Sequence, residues 1–94
     1  MTIDEKQGFV RSDHVVVCEI KDGGALLDLE TSTYFQLNGT ANFIWEQLAD
    51  GPMSGSQIAG KLSQTYDVDD ETALADVLFM LDQFSTAGLI IARG

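Results

Sequence analysis

From Val15 to Ile20 the segment VVVCEI is β-branched and apolar, the composition of a strand. Asp22-Gly23-Gly24 follows, where glycine permits the positive φ of a hairpin turn. Ala25 to Glu30 then alternates, with Ala25, Leu27 and Leu29 on one face and Leu26 and Asp28 on the other. After a polar turn at Thr31-Ser32, Thr33 to Leu37 reads as a third strand. Phe35 and Leu37 share one of its faces, Tyr34 and Gln36 the other. Three strands joined by short turns predict an antiparallel meander.

At Asn38 the period changes from two to 3.6. Asn38 or Thr40 can cap a helix by accepting free backbone N–H groups. Ala41, Ile44, Trp45 and Leu48 then follow at i, i+3, i+4 and i+7, and Asp50-Gly51-Pro52 ends the run. Ser54 with Gln57 resembles a capping box, and Ile58, Ala59 and Leu62 give a short second helix whose Gly55 and Gly60 lower its propensity. Asp69, Asp70 and Glu71 suit the positive end of a third helix. Its stripe is Leu74, Val77, Leu78, Leu81 and Phe84; Gly88 stops it, and Leu89 to Ala92 adds a short extended tail. Three strands followed by three helices predict an α+β fold, a winged helix-turn-helix-like assembly with a three-stranded antiparallel sheet.

The 94 residues suffice for a single domain spanning 1–94, with residues 1–9 expected to be flexible. No apolar run reaches the roughly 20 residues of a membrane helix, and MTIDEKQ contains no stretch suited to a secretory signal, so a cytoplasmic protein with no membrane partner is expected. The net charge is −10, and the five cationic residues Lys6, Arg11, Lys21, Lys61 and Arg93 form no cluster. Nucleic acid is therefore not an expected partner, whereas a basic peptide or protein face is a natural electrostatic match. The third helix carries Asp70, Glu71, Asp76 and Asp82 and no Lys or Arg, the wrong chemistry for reading DNA.

Little in the chain suits catalysis. Cys18 is the only cysteine, which excludes an internal disulfide and a cysteine zinc cluster, and His14 is the only histidine. Four positions apart in one strand, the two are separated by roughly 13 Å, too far for a nucleophile–base pair. Asp67, Asp69, Asp70 and Glu71 lack the spacing of a calcium loop, and Gly23-Gly24 lacks the glycine pattern that cradles phosphate. No catalytic residue, metal site or cofactor is predicted.

The ordered set LLDLE (Leu26–Glu30), YFQLNGT (Tyr34–Thr40) and Ile44-Trp45 resembles the PqqD-like family. Gly51, Ile58-Ala59, Tyr66-Asp67-Val68 and Asp76-Val77…Leu81…Phe84…Gly88-Leu89 continue the likeness in order, across roughly Val10 to Ile91. Two positions depart from the family pattern: Gly39-Thr40-Ala41 stands where Thr-Gly is usual after the Asn, and Phe79 stands where a polar residue is more frequent. The resemblance implies a RiPP recognition element, a non-catalytic module that binds the leader of a ribosomally made precursor peptide. The implied partners are that leader and a modifying enzyme, either the leader peptidase and cyclase of lasso peptide synthesis or the radical enzyme of pyrroloquinoline quinone synthesis. Lasso peptide synthesis is favoured here. The alternative is a winged-helix regulatory protein that binds DNA or another protein.

The resemblance further implies that the leader adds as a strand beside the third strand, Thr33, Tyr34, Phe35, Gln36 and Leu37, and packs against the third helix. A helical wheel places Leu78 and Met80 at the two margins of that helix's core stripe and Phe79 well outside it, an apolar surplus suited to a groove. Asp76 and Asp82 flank these positions and could pair with leader Lys or Arg, and Gln83 completes the expected peptide-binding set.

Overall fold

The computed structural model describes residues 3–20 and 23–93. Its first strand, β1 (Gly8–Arg11), takes in Gly8 and Phe9, which the sequence reading placed in a flexible segment, and buries Phe9 to 4% exposure. The expected meander follows as β2 (Val15–Ile20), β3 (Gly23–Asp28) and β4 (Thr33–Leu37), antiparallel in the order β2-β3-β4. Its register aligns Val16, Leu27 and Tyr34 in one row and Val17, Leu26 and Phe35 in the next. Lys21 and Asp22, and so part of the expected hairpin turn, lie outside the described residues.

The β3–β4 turn is organised by a buried carboxylate. Asp28 Oδ1 accepts the backbone N–H groups of Glu30 at 2.9 Å and Thr31 at 3.3 Å, and Ser32 takes a positive φ of 59°. A lone buried carboxylate is costly, and here amide donors on one oxygen and the His14 ring 3.5 Å from the other offset that cost.

Each helix starts at a capping side chain. Asn38 Oδ1 accepts from Ala41 N at 2.8 Å and opens α1 (Gly39–Gln47). The helix stops earlier than the Asp50-Gly51-Pro52 signal, because Leu48 and Ala49 tighten to i−3 bonds with Trp45 and Glu46 before Gly51 turns the chain at φ 128°. A two-residue strand, β5 (Met53–Ser54), precedes α2 (Gly55–Thr65), where Ser54 and Gln57 form both bonds of the expected capping box. Asp69 Oδ1 accepts from Thr72 N at 2.7 Å to cap α3 (Asp70–Thr86). Gly88, at φ 78°, ends α3 in a Schellman motif: its N–H bonds the Ser85 carbonyl and the Leu89 N–H bonds that of Phe84. The chain then enters β6 (Ile90–Ala92).

A second antiparallel sheet, in the order β5-β1-β6, adds to the expected architecture, pairing Phe9 with Met53 on one side and Ala92 on the other. Its strands have two to four residues and come from distant parts of the chain, so no local alternation announces it. The core lies between this sheet, the three helices and the inner face of the meander. Leu26, Ile44, Trp45, Leu48, Ile58, Val77, Leu81, Leu89 and Ile90 are fully buried there. Trp45 meets Phe84 edge to face at 6.0 Å, and Arg11 from β1 sits 4.6 Å above the indole while donating to the Trp45 carbonyl. Among the described residues the meander has two edge strands, β2 and β4, and β4 is the edge that shares a groove with the longest helix.

Candidate peptide-binding groove

Among the described residues β4 pairs only with β3, so its other margin carries backbone N–H and C=O groups with no strand partner. Along that margin, β4 and α3 enclose a groove of about 270 Å³. Phe35, Gln36 and Leu37 form the strand wall; Phe79, Met80, Gln83 and Phe84 form the helical wall. Leu89 and Ala87 close one end, just where the Schellman turn redirects the chain. The lining is mostly apolar, with amide side chains at Gln36, Asn38 and Gln83 and no charged group. Such a wall offers directional backbone bonds from the strand and shape-selective apolar contacts from the helix.

Of the predicted set, Phe35, Gln36, Leu37, Phe79, Met80 and Gln83 come together in this groove. Phe79 is 63% exposed although it is aromatic and sits mid-helix, so it projects as a wall rather than packing into the core. Thr33 and Tyr34 belong to the same strand margin but not to the lining. Tyr34 points to the outer face of the sheet, 66% exposed, in the row with Val16 and Leu27. Asp76 stands one turn before Met80, beyond the groove's end, beside Thr40, Asn38 and Phe79.

Leu78 and Asp82 are not brought to the groove. Leu78 sits against the start of α2, where a side chain larger than hydrogen at Gly55 would collide with it. Asp82 faces the opposite side of α3, towards Ile3, Asp4 and Phe9. The helix is inserted with the 76, 80, 83, 87 row towards β4, while 78 and 82 belong to the flank that meets α2 and the N-terminal segment. That row reads Asp-Met-Gln-Ala, half polar, whereas the opposite margin offers Leu78, so the wheel gives the margins of the stripe without showing which margin faces the strand.

Asn38, Ala41, Phe84, Ala87 and Leu89 also line the groove, and the sequence reading did not include them. Phe84 and Leu89 have the pattern of core residues and serve both purposes. Asn38 reads in the sequence as a cap, and it both caps α1 and lines the groove.

Away from the groove, His14 lies between two carboxylates, with Nε2 3.5 Å from Asp28 and Nδ1 3.5 Å from Glu30. No group of three or more metal-ligating side chains occurs among the described residues, and no described helix is long and apolar enough to cross a membrane.

Comparison with known proteins gives consistent results. Three solved structures similar to this chain share both its size and its fold. TbiB1, in complex with the TbiA(beta) leader peptide, is 30% identical, with a TM-score of 0.79 over 90% of this chain and 98% of that one. A lasso peptide synthetase B1, complexed with the leader peptide, is 29% identical, with a TM-score of 0.78 over 88% and 96%. The PqqD truncation of Methylobacterium extorquens PqqCD, a stand-alone RiPP recognition element, is 28% identical, with a TM-score of 0.78 over 94% and 93%. No curated protein matches the chain. The family model for coenzyme PQQ synthesis protein D matches residues 23–90, which takes in β3 and β4 of the meander, all three helices and both walls of the groove, and on that match the chain belongs to the PqqD family.

Proposed function

We propose that this chain is a non-catalytic, cytoplasmic RiPP recognition element acting as a single domain. It holds the leader of a ribosomally made precursor peptide and presents it to modifying enzymes, in a pathway of the lasso peptide type. The leader adds as a fourth strand on the free margin of β4, and its alternate side chains enter the groove against α3. The observation that carries this reading is the coincidence of an unpaired strand margin with an apolar groove along its length. The leader peptides in the two similar complexes, one of them with a lasso peptide synthetase, support it.

The chemistry divides into two parts. Backbone bonds from β4 are indifferent to the leader's side chains and supply generic affinity. Selectivity comes from Phe79, Met80 and Phe84 on the helix and Phe35 and Leu37 on the strand, which admit apolar side chains at alternate leader positions. Strand addition with one or two apolar anchors reaches micromolar affinity, about −8 kcal/mol.

Titrating the chain with the leader of its own precursor tests the reading by NMR. Shifts are expected in Thr33–Leu37 and along the groove side of α3 from Asp76 to Ala87. Phe79→Asp is expected to weaken binding about tenfold, roughly 1.4 kcal/mol, without unfolding an already exposed position. Shifts confined to other surfaces, or full affinity in that variant, would remove the groove from the function.

A further inference from the structure

The groove against β4 does not end at Met80. Beyond it lies a smaller compartment of about 180 Å³, lined by Asn38, Thr40, Asp76, Phe79 and Met80. Past Thr40 and Asp76 a third opens, about 260 Å³, between Gly39, Leu62, Tyr66 and Val68. Neighbouring compartments share walls: Asn38, Phe79 and Met80 join the first to the second, and Thr40 and Asp76 join the second to the third. Together they form one channel that leaves the end of β4, crosses the first turn of α1 and reaches the α2–α3 connection.

The far compartment is formed by well-anchored groups. Leu62 is buried and makes its floor. Tyr66, 50% exposed, is fixed by its N–H bond to the Leu62 carbonyl and by an edge-to-face contact with Phe43 at 5.7 Å. Val68 donates its N–H to the Tyr66 carbonyl, which holds a second apolar side chain at the rim, 38% exposed. Of the described residues along the whole channel, Asp76 is the single charged one, and it forms no ion pair with any described cationic group.

We propose that this channel is a second specificity element. The leader segment that runs on past Leu37 places a Lys or Arg against Asp76 and an apolar side chain in the Tyr66–Val68 compartment. The inference rests on the leader-binding reading above. Its occupant follows from continuity with the β4 groove and from charge, because a channel with one carboxylate and no cation selects a basic residue over an acidic one. Helix geometry sets the spacing. From Gln83 or Met80 back to Asp76 is about 6–10 Å along α3, which an extended peptide covers in about two or three residues. The basic residue therefore falls about two to three positions from the last apolar anchor in the β4 groove, with the far apolar residue just beyond it.

Selection from a phage-displayed library of linear peptides tests this, using peptides of about twelve residues, long enough at ~3.3 Å per residue to span all three compartments. The wild-type chain is expected to enrich Lys or Arg at the stated spacing from an apolar anchor, with a second apolar residue on the side away from that anchor. Asp76→Asn should weaken binding of those peptides about two- to fivefold, an effect that shrinks at high salt, as for an exposed ion pair. Asp76→Lys should reverse the preference to Asp or Glu, and Tyr66→Ser should erase the far apolar preference while leaving the near anchor. Peptides that depend on Phe79 but show no basic preference, or keep it in Asp76→Lys, overturn this inference alone. Selected peptides indifferent to Phe79→Asp overturn both it and the leader-binding reading.

Discussion

Single residues carry much of the local order. Asp28 is buried, yet its carboxylate holds the β3–β4 turn by accepting two backbone amides, so the strand that offers the free margin begins from a fixed point. Arg11 does comparable work on the other side of the core. Desolvation by burial lowers its pKa, with Glu46 and Asp50 opposing that shift, and its guanidinium ties β1 to the carbonyl of Trp45. Asp69 shows a consequence that pH can reveal. The Thr72 backbone N–H, and then the Thr72 side chain, hold its carboxyl below the usual aspartate range. The folded state thus favours the ionised form. The resulting stabilisation is complete above the ordinary aspartate pKa near 4 and is lost as pH falls through the lower folded value. Asn retains the cap without the charge, so Asp69→Asn should melt below wild type at pH 7 and converge with it near about pH 2. Coincident melting temperatures at both pH values would contradict the assignment.

At the scale of elements, the decisive feature is how α3 is seated. Ala73, Val77, Leu81 and Phe84 are buried along it, and the rotation this imposes turns Met80 and Gln83 to β4 and Leu78 to α2. Gly55, a propensity defect when read along the chain, has a packing role: it leaves room for Leu78 at the start of α2. The end of α3 matters equally, because the Schellman turn at Gly88 points Leu89 into the core and closes the groove. A methyl group at Gly88 would meet nothing within 4 Å, so any cost of Gly88→Ala is conformational. Denaturant unfolding should show a loss of about 1–2 kcal/mol from the left-handed backbone alone. No loss would mean that the turn relaxes into another form.

At the scale of the molecule, two small sheets meet on one helical core, and β1 binds the chain's beginning to its end. Phe9 pairs with Ala92 and Met53 and is nearly inaccessible, so the strand belongs to the core rather than to a tail. Truncation through Arg11 should therefore cost at least the ~3–5 kcal/mol of a buried phenylalanine, read as loss of the cooperative thermal transition by circular dichroism. A truncated chain with wild-type melting would show β1 to be dispensable. The strand–helix pair expected to hold a peptide came from the family resemblance; the pattern of the sequence by itself determined the meander, the three helices and their caps. These are written in local terms: alternation of period two, stripes of period 3.6, and capping side chains within three residues of the amides they bind. Tertiary structure decided what lies between distant parts of the chain. It paired β1 with β5 and β6, and it turned the Leu26–Asp28 side of β3 inward although the other side carries Ala25, Leu27 and Leu29. It also chose which margin of α3 faces β4, bringing Asn38, Ala87 and Leu89 into the groove and leaving Leu78 and Asp82 outside it. The physical reason is that a helix's rotation and a short strand's partner are set by the best joint packing of the whole core, a sum over contacts that no window of the sequence contains.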